Sequence, residues 1–540
     1  MTKPISGAVL IFLIFVIAAM GAAALRPGVL MIGQHEGDAL HLLEIVLRMS
    51  NGETPHIDFM TPLGAFGFAP IAWFVQVGFG VGQATLWAQI VVAALVLPAV
   101  WWVAVSRFSG IWPYVFGLVV LSLVLAVVYG DAIRALTISM HYNRWAWAVS
   151  FIVVACTILR PVHRQSAVLD GLVVGALMSF LALAKLRYYV AFLPDVAVAL
   201  LARRQWRTIA IVCAVGLISV VLMTLLYGTA YWAAYVGDLL TVAQSKVRPY
   251  PGDPFVAVLG APAYIGGSLL LLGAIMLLRQ AEMAVEGLVV LFLTPAFFYV
   301  TYQNFGNDPQ WLVLLGLILF AARPSSDVVN GWGWNMRQAI SRVGVAALAL
   351  SMPSMANNLY SPFRHAATDT DGFTPVLATS ERHDDLLMRQ GRYYKVNKSI
   401  PYSDMGAAFD RYEKIADRPE LPAFAGDTVE ACEIDLGIVG VLQAIADDLE
   451  EAGYGGAAIM NVDVFSSLWL FGDFQPLPDG APWYYGGLPG IDGASHVLLP
   501  DCPIAANVHR KIVETFAASD VTLVEVRRAP LYTLYRKDGD

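Results

Sequence analysis

Residues 64–80, GAFGFAPIAWFVQVGFG, decide how this chain is threaded. The stretch is apolar enough to pass for a membrane span. It is also short, and Gly64, Gly67, Pro70, Gly78 and Gly80, with Gly82 just beyond, put helix-weakening residues along it. Flanking charge provides the discriminating test. If 64–80 stays on one side, then Lys3, Arg107, Arg160, Arg164, Arg203, Arg204, Arg207, Arg279, Arg323 and Arg337 all share the side of the N-terminus. That places ten basic residues in roughly 45 loop positions, against eight in roughly 90 on the other side, the bias expected of cytoplasmic loops. If 64–80 crossed, Arg107, Arg160 and the cluster at Arg203 would change sides. The segment therefore reads as a re-entrant or surface-lying helix.

Composition fixes the class around it. The 540 residues are 57% hydrophobic and 14% charged, against roughly 25% charged in an average soluble domain, and mean hydropathy is +0.61. Apolar runs of bilayer length follow one another at 5–25, 84–106, 112–129, 145–159, 167–184, 188–202, 208–227, 256–278, 284–302, 309–322 and 339–356. The expected fold is a polytopic α-helical membrane protein with about 11 transmembrane helices. Its N-terminus is expected in the cytoplasm, and the first span as a retained anchor, because its apolar run of about 20 residues exceeds the 7–15 of a signal peptide. Net charge of −8 and a pI near 5.6 argue against a nucleic-acid partner. No zinc pattern, Walker A loop or dinucleotide fingerprint is present.

The expected domains are a transmembrane module over 1–356, including a first outer loop over 26–83, and a soluble outer α/β domain over 357–540. The latter alternates helical patterns at 403–416, 435–452 and 506–519 with strand-like runs at 456–462, 496–500, 521–527 and 531–536. Its two cysteines, Cys432 and Cys502, suit a disulfide in an oxidising compartment, whereas Cys156 and Cys213 lie in apolar spans.

This threading collects the polar loops on the outer face: 26–63, 130–144, 185–187, 228–255 and 303–308. The first carries GQHEGDALHLLEIVLRMSNGETPHIDFMTP from Gly33 to Pro62, dense in acid beside a bilayer that solvates ions poorly. Over 38–50 the spacing predicts a helix with Asp38, His41, Glu44 and Arg48 on one stripe. Leu40, Leu43, Val46 and Leu47 cover the other side, and Gly52 follows as a stop. Such a helix is expected to lie along the membrane with its stripe toward water. The bland alternative is an interfacial connector with solvated charges.

From Asp38 through Gly52, Pro55 and Asp58-Phe59, this loop resembles the first outer loop of the GT-C membrane glycosyltransferases, which include protein O-mannosyltransferases and the lipid A aminoarabinose transferase. Their loop carries an Asp-Glu pair; here Ala39 follows Asp38, and the second acid, Glu36, precedes it. The resemblance implies transfer of a sugar from a polyprenyl-phosphate donor to a lipid, glycan or protein acceptor at the outer face of a bacterial inner membrane, with a periplasmic C-terminal domain. Either Asp38 or Glu36 would take the acceptor's proton in an inverting displacement. Cations would stabilise the departing phosphate, the candidates being Lys185, Arg187, Arg144, Lys246 and Arg248. Candidates for sugar or acceptor contacts are His41, His56, Asp58, His141, Tyr142, Asn143, Tyr188, Asn304, Asn307 and Asp308. His35, Glu36, Asp38 and His41 offer a ligand set for a divalent metal ion. A different class, a transporter or lipid flippase with an outer receptor domain, would use the same charges as a pathway. It predicts inverted repeats and midplane sites, whereas no repeat is visible and the polar residues gather at one surface, with Asp195 an acid inside the span 188–202.

Overall fold

The computed structural model describes residues 5–247, 253–303, 310–400, 406–408, 423–428 and 432–538. Helix α1 (Ser6–Leu25) leads through a short strand, β1 (Leu30–Ile32), into α2 (Glu36–Ser50). A one-turn helix at Ala65–Gly67 and α3 (Ala69–Gln76) precede α4 (Val81–Arg107), α5 (Trp112–Leu125), α6 (His141–Ile158), α7 (Ala167–Ala184) and α8 (Leu186–Ala202). Then come α9 (Trp206–Tyr227), α10 (Ala230–Gln244), α11 (Phe255–Gly260), α12 (Pro262–Gln280), α13 (Ala284–Gln303), α14 (Gln310–Ala321) and α15 (Met336–Ala367). Among the described residues, seven helices are long and apolar enough to cross a bilayer: α1, α4, α7, α9, α12, α13 and α15. The other expected spans are helical too. However, α5 and α14 have only 14 and 12 residues, about 21 and 18 Å at 1.5 Å per residue, and α6 and α8 carry polar residues.

The α-helix within segment 64–80, α3, has 8 residues, about 12 Å at 1.5 Å per residue and so too short to span a bilayer. The first turn of the segment sits at the α7–α8 junction, where the Gly64 amide donates to Ala184 O at 3.2 Å. A Cβ on Gly64 would lie 2.0 Å from Leu183 O, so only glycine permits this approach. Its far end meets the same side of the bundle. There Asp385, from beyond the last long helix, accepts from the amides of Gly82 (2.9 Å) and Gln83 (2.7 Å) and caps α4.

The opposite end of the bundle is closed by buried ion pairs. Arg107 meets Asp170 at 2.7 Å and also donates to Cys156 O, while Trp102 Nε1 donates to the other Asp170 oxygen at 2.8 Å. Arg160 and Arg203 converge on Glu286 at 2.7 and 3.1 Å. These are arginines of the basic side inferred from sequence; Arg107, Asp170 and Glu286 are buried and need a counter-charge, whereas Arg160 reaches Glu286 from an exposed position.

Two boundaries differ from expectation. Helix α15 runs unbroken past 357 to Ala367, because its outer part is itself packed in protein. There Asn357 Nδ2 donates to Asp131 O and Ile133 O, Ser361 Oγ accepts from Val127 N, and His365 Nε2 accepts from Met31 N. The outer region is also woven into the first loop. Strand β3 (Leu386–Arg389) pairs with β2 (Phe373–Pro375) on one side and in parallel with β1 on the other.

Beyond α16 (Gln390–Tyr393), two small ladders join β4 (Asn397–Ser399) to β7 (Glu433–Leu436) and β5 (Ala423–Phe424) to β6 (Asp427–Thr428). The domain core is a four-stranded sheet in the order β10 (Leu523–Ala529), β11 (Tyr532–Lys537), β9 (His496–Pro500), β8 (Ile459–Asn461). Only the β8–β9 pair is parallel. Helices α17 (Ile438–Glu451) and α18 (Ala506–Ala517) pack their apolar faces into the cores of this region. Cys432 and Cys502 are joined in a disulfide. The helix expected over 403–416 falls largely outside the described residues.

Asp170→Ala strands a buried guanidinium and is expected to cost about 3–5 kcal/mol, read as a lower unfolding midpoint of the detergent-solubilised protein. An Arg107→Met, Asp170→Leu double variant should recover most of that loss. A single-variant cost indistinguishable from zero would mean that this end of the bundle is solvated.

Candidate functional site

Helix α2 is buried along almost its whole length, which corrects the expectation of a water-facing stripe. The outer domain covers it. Glu36 is 6% exposed and takes both its oxygens to the Arg392 guanidinium of α16. Glu44 is wholly buried and accepts from Ser466 Oγ at 2.6 Å and Ser467 Oγ at 2.8 Å. Burial drives the Glu44 carboxyl above the usual range, with Arg48 and the serine hydroxyls opposing. Arg48 reaches Glu53 at 2.7 Å and Leu477 O at 3.0 Å, over the Phe59 ring. His41 lies against Trp483, and Gly37 is so close to Phe465 that a Cβ there would meet the ring at 2.7 Å.

Asp38 turns instead toward the segment around Ser139 that leads into α6. One oxygen accepts from Ser139 Oγ at 2.6 Å. The charge of Asp38 acts on the Tyr129 and Tyr142 hydroxyls and on the Lys185 amine, and that of Arg187 on Lys185 and Tyr142. Lys185 occupies the break between α7 and α8, 7% exposed, with its ammonium 4.5 Å from the centre of the Tyr142 ring. Arg187 donates to Gln303 O at 3.3 Å, tying the start of α8 to the end of α13. Neither cation closes onto Asp38 as an ion pair. Lys185 thus sits on the Tyr142 ring with Arg187 in the first turn of α8 and the Asp38 charge within electrostatic reach.

Local backbone geometry helps to aim these groups. His35 and Met140, the residues capping α2 and α6, both take left-handed conformations (φ 64° and 59°) that non-glycine residues seldom adopt. His35 stacks on Tyr129, with ring centroids 4.9 Å apart. Burial, then the charges of Asp38 and Asp131, raise the Tyr129 phenol above its ordinary range, so it stays a neutral hydroxyl. Burial foremost, and then Arg187, hold the Lys185 amine well below its usual range, while Asp38 pulls it back up.

The other predicted residues are distributed differently. Arg144 is 2% exposed, and its guanidinium is spent on the carbonyls of Ala126, Val128 and Ser139, so it shapes the 126–139 loop from within. His141 Nε2 donates to Gly67 O at 2.8 Å, pinning the 64–68 turn, and Asn143 donates to Met140 Sδ. Tyr188 is buried edge-on against Trp147. His56 pairs through Nδ1 with Asp238 of α10 at 2.7 Å, between Tyr231 and Tyr235. Asp58 accepts from Thr54 N at 2.6 Å and so stabilises its own turn. Lys246 is exposed past the end of α10. Arg248, Asn304, Asn307 and Asp308 lie outside the described residues. Asp195 is fully buried in α8, with no hydrogen-bond partner for either oxygen among the described residues.

The suggested metal ligands diverge: Glu36 toward Arg392, Asp38 toward Ser139, His35 onto Tyr129 and His41 onto Trp483. Among the described residues, no three His, Cys, Asp or Glu side chains converge as metal ligands. Sequence reasoning missed Ser139, Tyr129, Arg392 and the Trp483-Tyr484-Tyr485 run, of which Tyr485 is coupled to Tyr142. The aromatic run ahead of Gly486-Gly487 was the available signal, since both glycines take positive φ and turn it back over α2.

Lys185 should react with a small amine reagent at lower pH than an exposed lysine such as Lys511. Asp38→Asn removes the charge that raises the Lys185 amine, so its labelling midpoint should fall further. Mass-spectrometric labelling of the full chain against pH checks both, and a Lys185 midpoint equal to that of Lys511 sinks the assignment.

No protein-family model matches this chain, and no curated protein matches it either.

Proposed function

We propose that this chain is a multi-pass membrane glycosyltransferase of the GT-C kind, with about eleven spans and the Asp38 end of the bundle facing the periplasm. In this reading it moves a sugar from a polyprenyl phosphate to an acceptor hydroxyl or amine. The observation that carries the proposal is Asp38, hydrogen-bonded by Ser139, whose charge reaches Lys185 beside Arg187. Asp38 takes the acceptor proton as the acceptor atom bonds to the anomeric carbon. The bond from that carbon to the phosphate oxygen breaks on the opposite face, inverting the centre. Charge growing on the leaving phosphate falls to Arg187 as a two-pronged donor, and to Lys185, whose charged form the phosphate, like Asp38, favours against the opposing burial and Arg187. Glu36 is committed to Arg392, which favours Asp38 as the base and gives Glu36 the work of holding the outer domain over the site.

The test uses membranes containing the full chain and a labelled hexose on a short-chain polyprenyl phosphate, with label followed into lipid, glycan and protein. Asp38→Asn is expected to lower the rate by about 10²–10⁴-fold, the usual worth of a general base. Arg187→Gln should chiefly weaken use of the donor. Glu36→Gln should lose less rate than Asp38→Asn and show a lower unfolding midpoint. Undiminished transfer by Asp38→Asn overturns the mechanism. Proteoliposome uptake that depends on Asp38 without any transfer would favour a transporter.

A further inference from the structure

We propose that Arg134 and Arg364 form a second anion site, shaped for a phosphate group, at the outer end of α15. This site goes beyond the transferase reading and does not depend on it. Both arginines line one half-open cavity of about 540 Å³ together with Asn357, Tyr360 and Pro353. That volume lies within the range of small-ligand pockets, about 300–1,000 Å³.

The case rests on how Arg364 is held. Its Nη1 donates to Arg134 O at 2.6 Å and its Nη2 to Asn357 Oδ1 at 2.8 Å. The Asn357 amide is fixed in turn by the carbonyls of Asp131 and Ile133, each at 2.8 Å. All these acceptors are neutral, so the fork is oriented but its charge is not cancelled. Asp131, the nearest acid in the loop, uses Oδ1 to accept from Ile133 N. Among the described residues, neither arginine makes an ion pair. An arginine merely snorkelling from a helix end would be loose and alone, whereas this one is locked in place beside a second. Two like charges brought together without a counter-ion leave room for an anion, and guanidiniums grip phosphate through paired hydrogen bonds. Tyr360 (63% exposed) and Phe363 (43% exposed) border the site with aromatic surface of the kind found at membrane boundaries. Such a rim suits a phosphate carried on a lipid headgroup; a free phosphate would satisfy the same arginines.

The test uses the full chain in neutral detergent, with phosphatidylglycerol, phosphatidylcholine or sodium phosphate as probe. Native mass spectrometry would count retained lipid, and thermal unfolding would follow each titration. Phosphatidylglycerol should be retained at least tenfold more tightly than phosphatidylcholine and be released by added salt. Arg134→Gln should abolish that preference without moving the lipid-free unfolding midpoint, because no hydrogen bond of its side chain is lost. Arg134→Lys should restore it only in part. Stabilisation by millimolar sodium phosphate that disappears in Arg134→Gln would support the site with a soluble anion as its source. Equal retention of the two lipids with no phosphate effect, or unchanged binding in Arg134→Gln, overturns the proposal.

Discussion

The burial of α2 governs the outer half of this protein. A helix carrying Glu36, Asp38, Glu44 and Arg48 would ordinarily lie on a surface, where water solvates such groups at little cost. Here the outer domain closes over it, and each charge has to find a partner supplied by protein, because unpaired buried charge is costly by several kcal/mol. Glu36 takes Arg392, Glu44 takes two serine hydroxyls and Arg48 takes Glu53 with a backbone carbonyl. Among the described residues Asp38 is held by a neutral hydroxyl, that of Ser139, and its charge acts on Lys185 without an ion pair. Pairing of its neighbours thus singles it out as the carboxylate with spare bonding capacity beside Lys185.

Much of the architecture was legible because it follows from local rules. Apolar run length located the helices, and the glycines of 64–80 leave room there for only a one-turn helix and the 8-residue α3. Periodicity found α17 and α18, and alternation found β9 and β11. Features set by distant partners were not legible. The stripe on α2 has the same spacing whether water or Ser466 lies opposite, and that serine is 422 residues away in sequence. Arg144 looks like any juxtamembrane cation until the carbonyls of the 126–139 loop are seen around it. Helix α15 was ended early because Asn357, Asn358 and Ser361 read as polar surface, although they are buried against loop 126–134.

The site shows the same division. Asp38, Lys185, Arg187 and Tyr142 were drawn from separate loops on the ground that those loops share a face, and the structure brings these four together. His56, Asp58, His141 and Asn143 came from the same loops but serve the frame. Polar residues near a membrane surface are therefore a mixed population. What separates the two groups is whether their hydrogen-bonding capacity is used up by the backbone around them, a property that appears only in three dimensions.

The parallel pairing of β1 with β3, and the capping of α4 by Asp385, have a temporal consequence. The loop that emerges first during synthesis is finished by residues made near the end, with Arg392 lying 356 positions after Glu36. Contacts of such long range are slow to form, because closing the intervening chain must precede them. Helix α2 therefore stays without its cover until the segment carrying β3 and α16 has been made and has folded back onto it. A product truncated before Leu386 would carry the acidic loop but not its finished geometry.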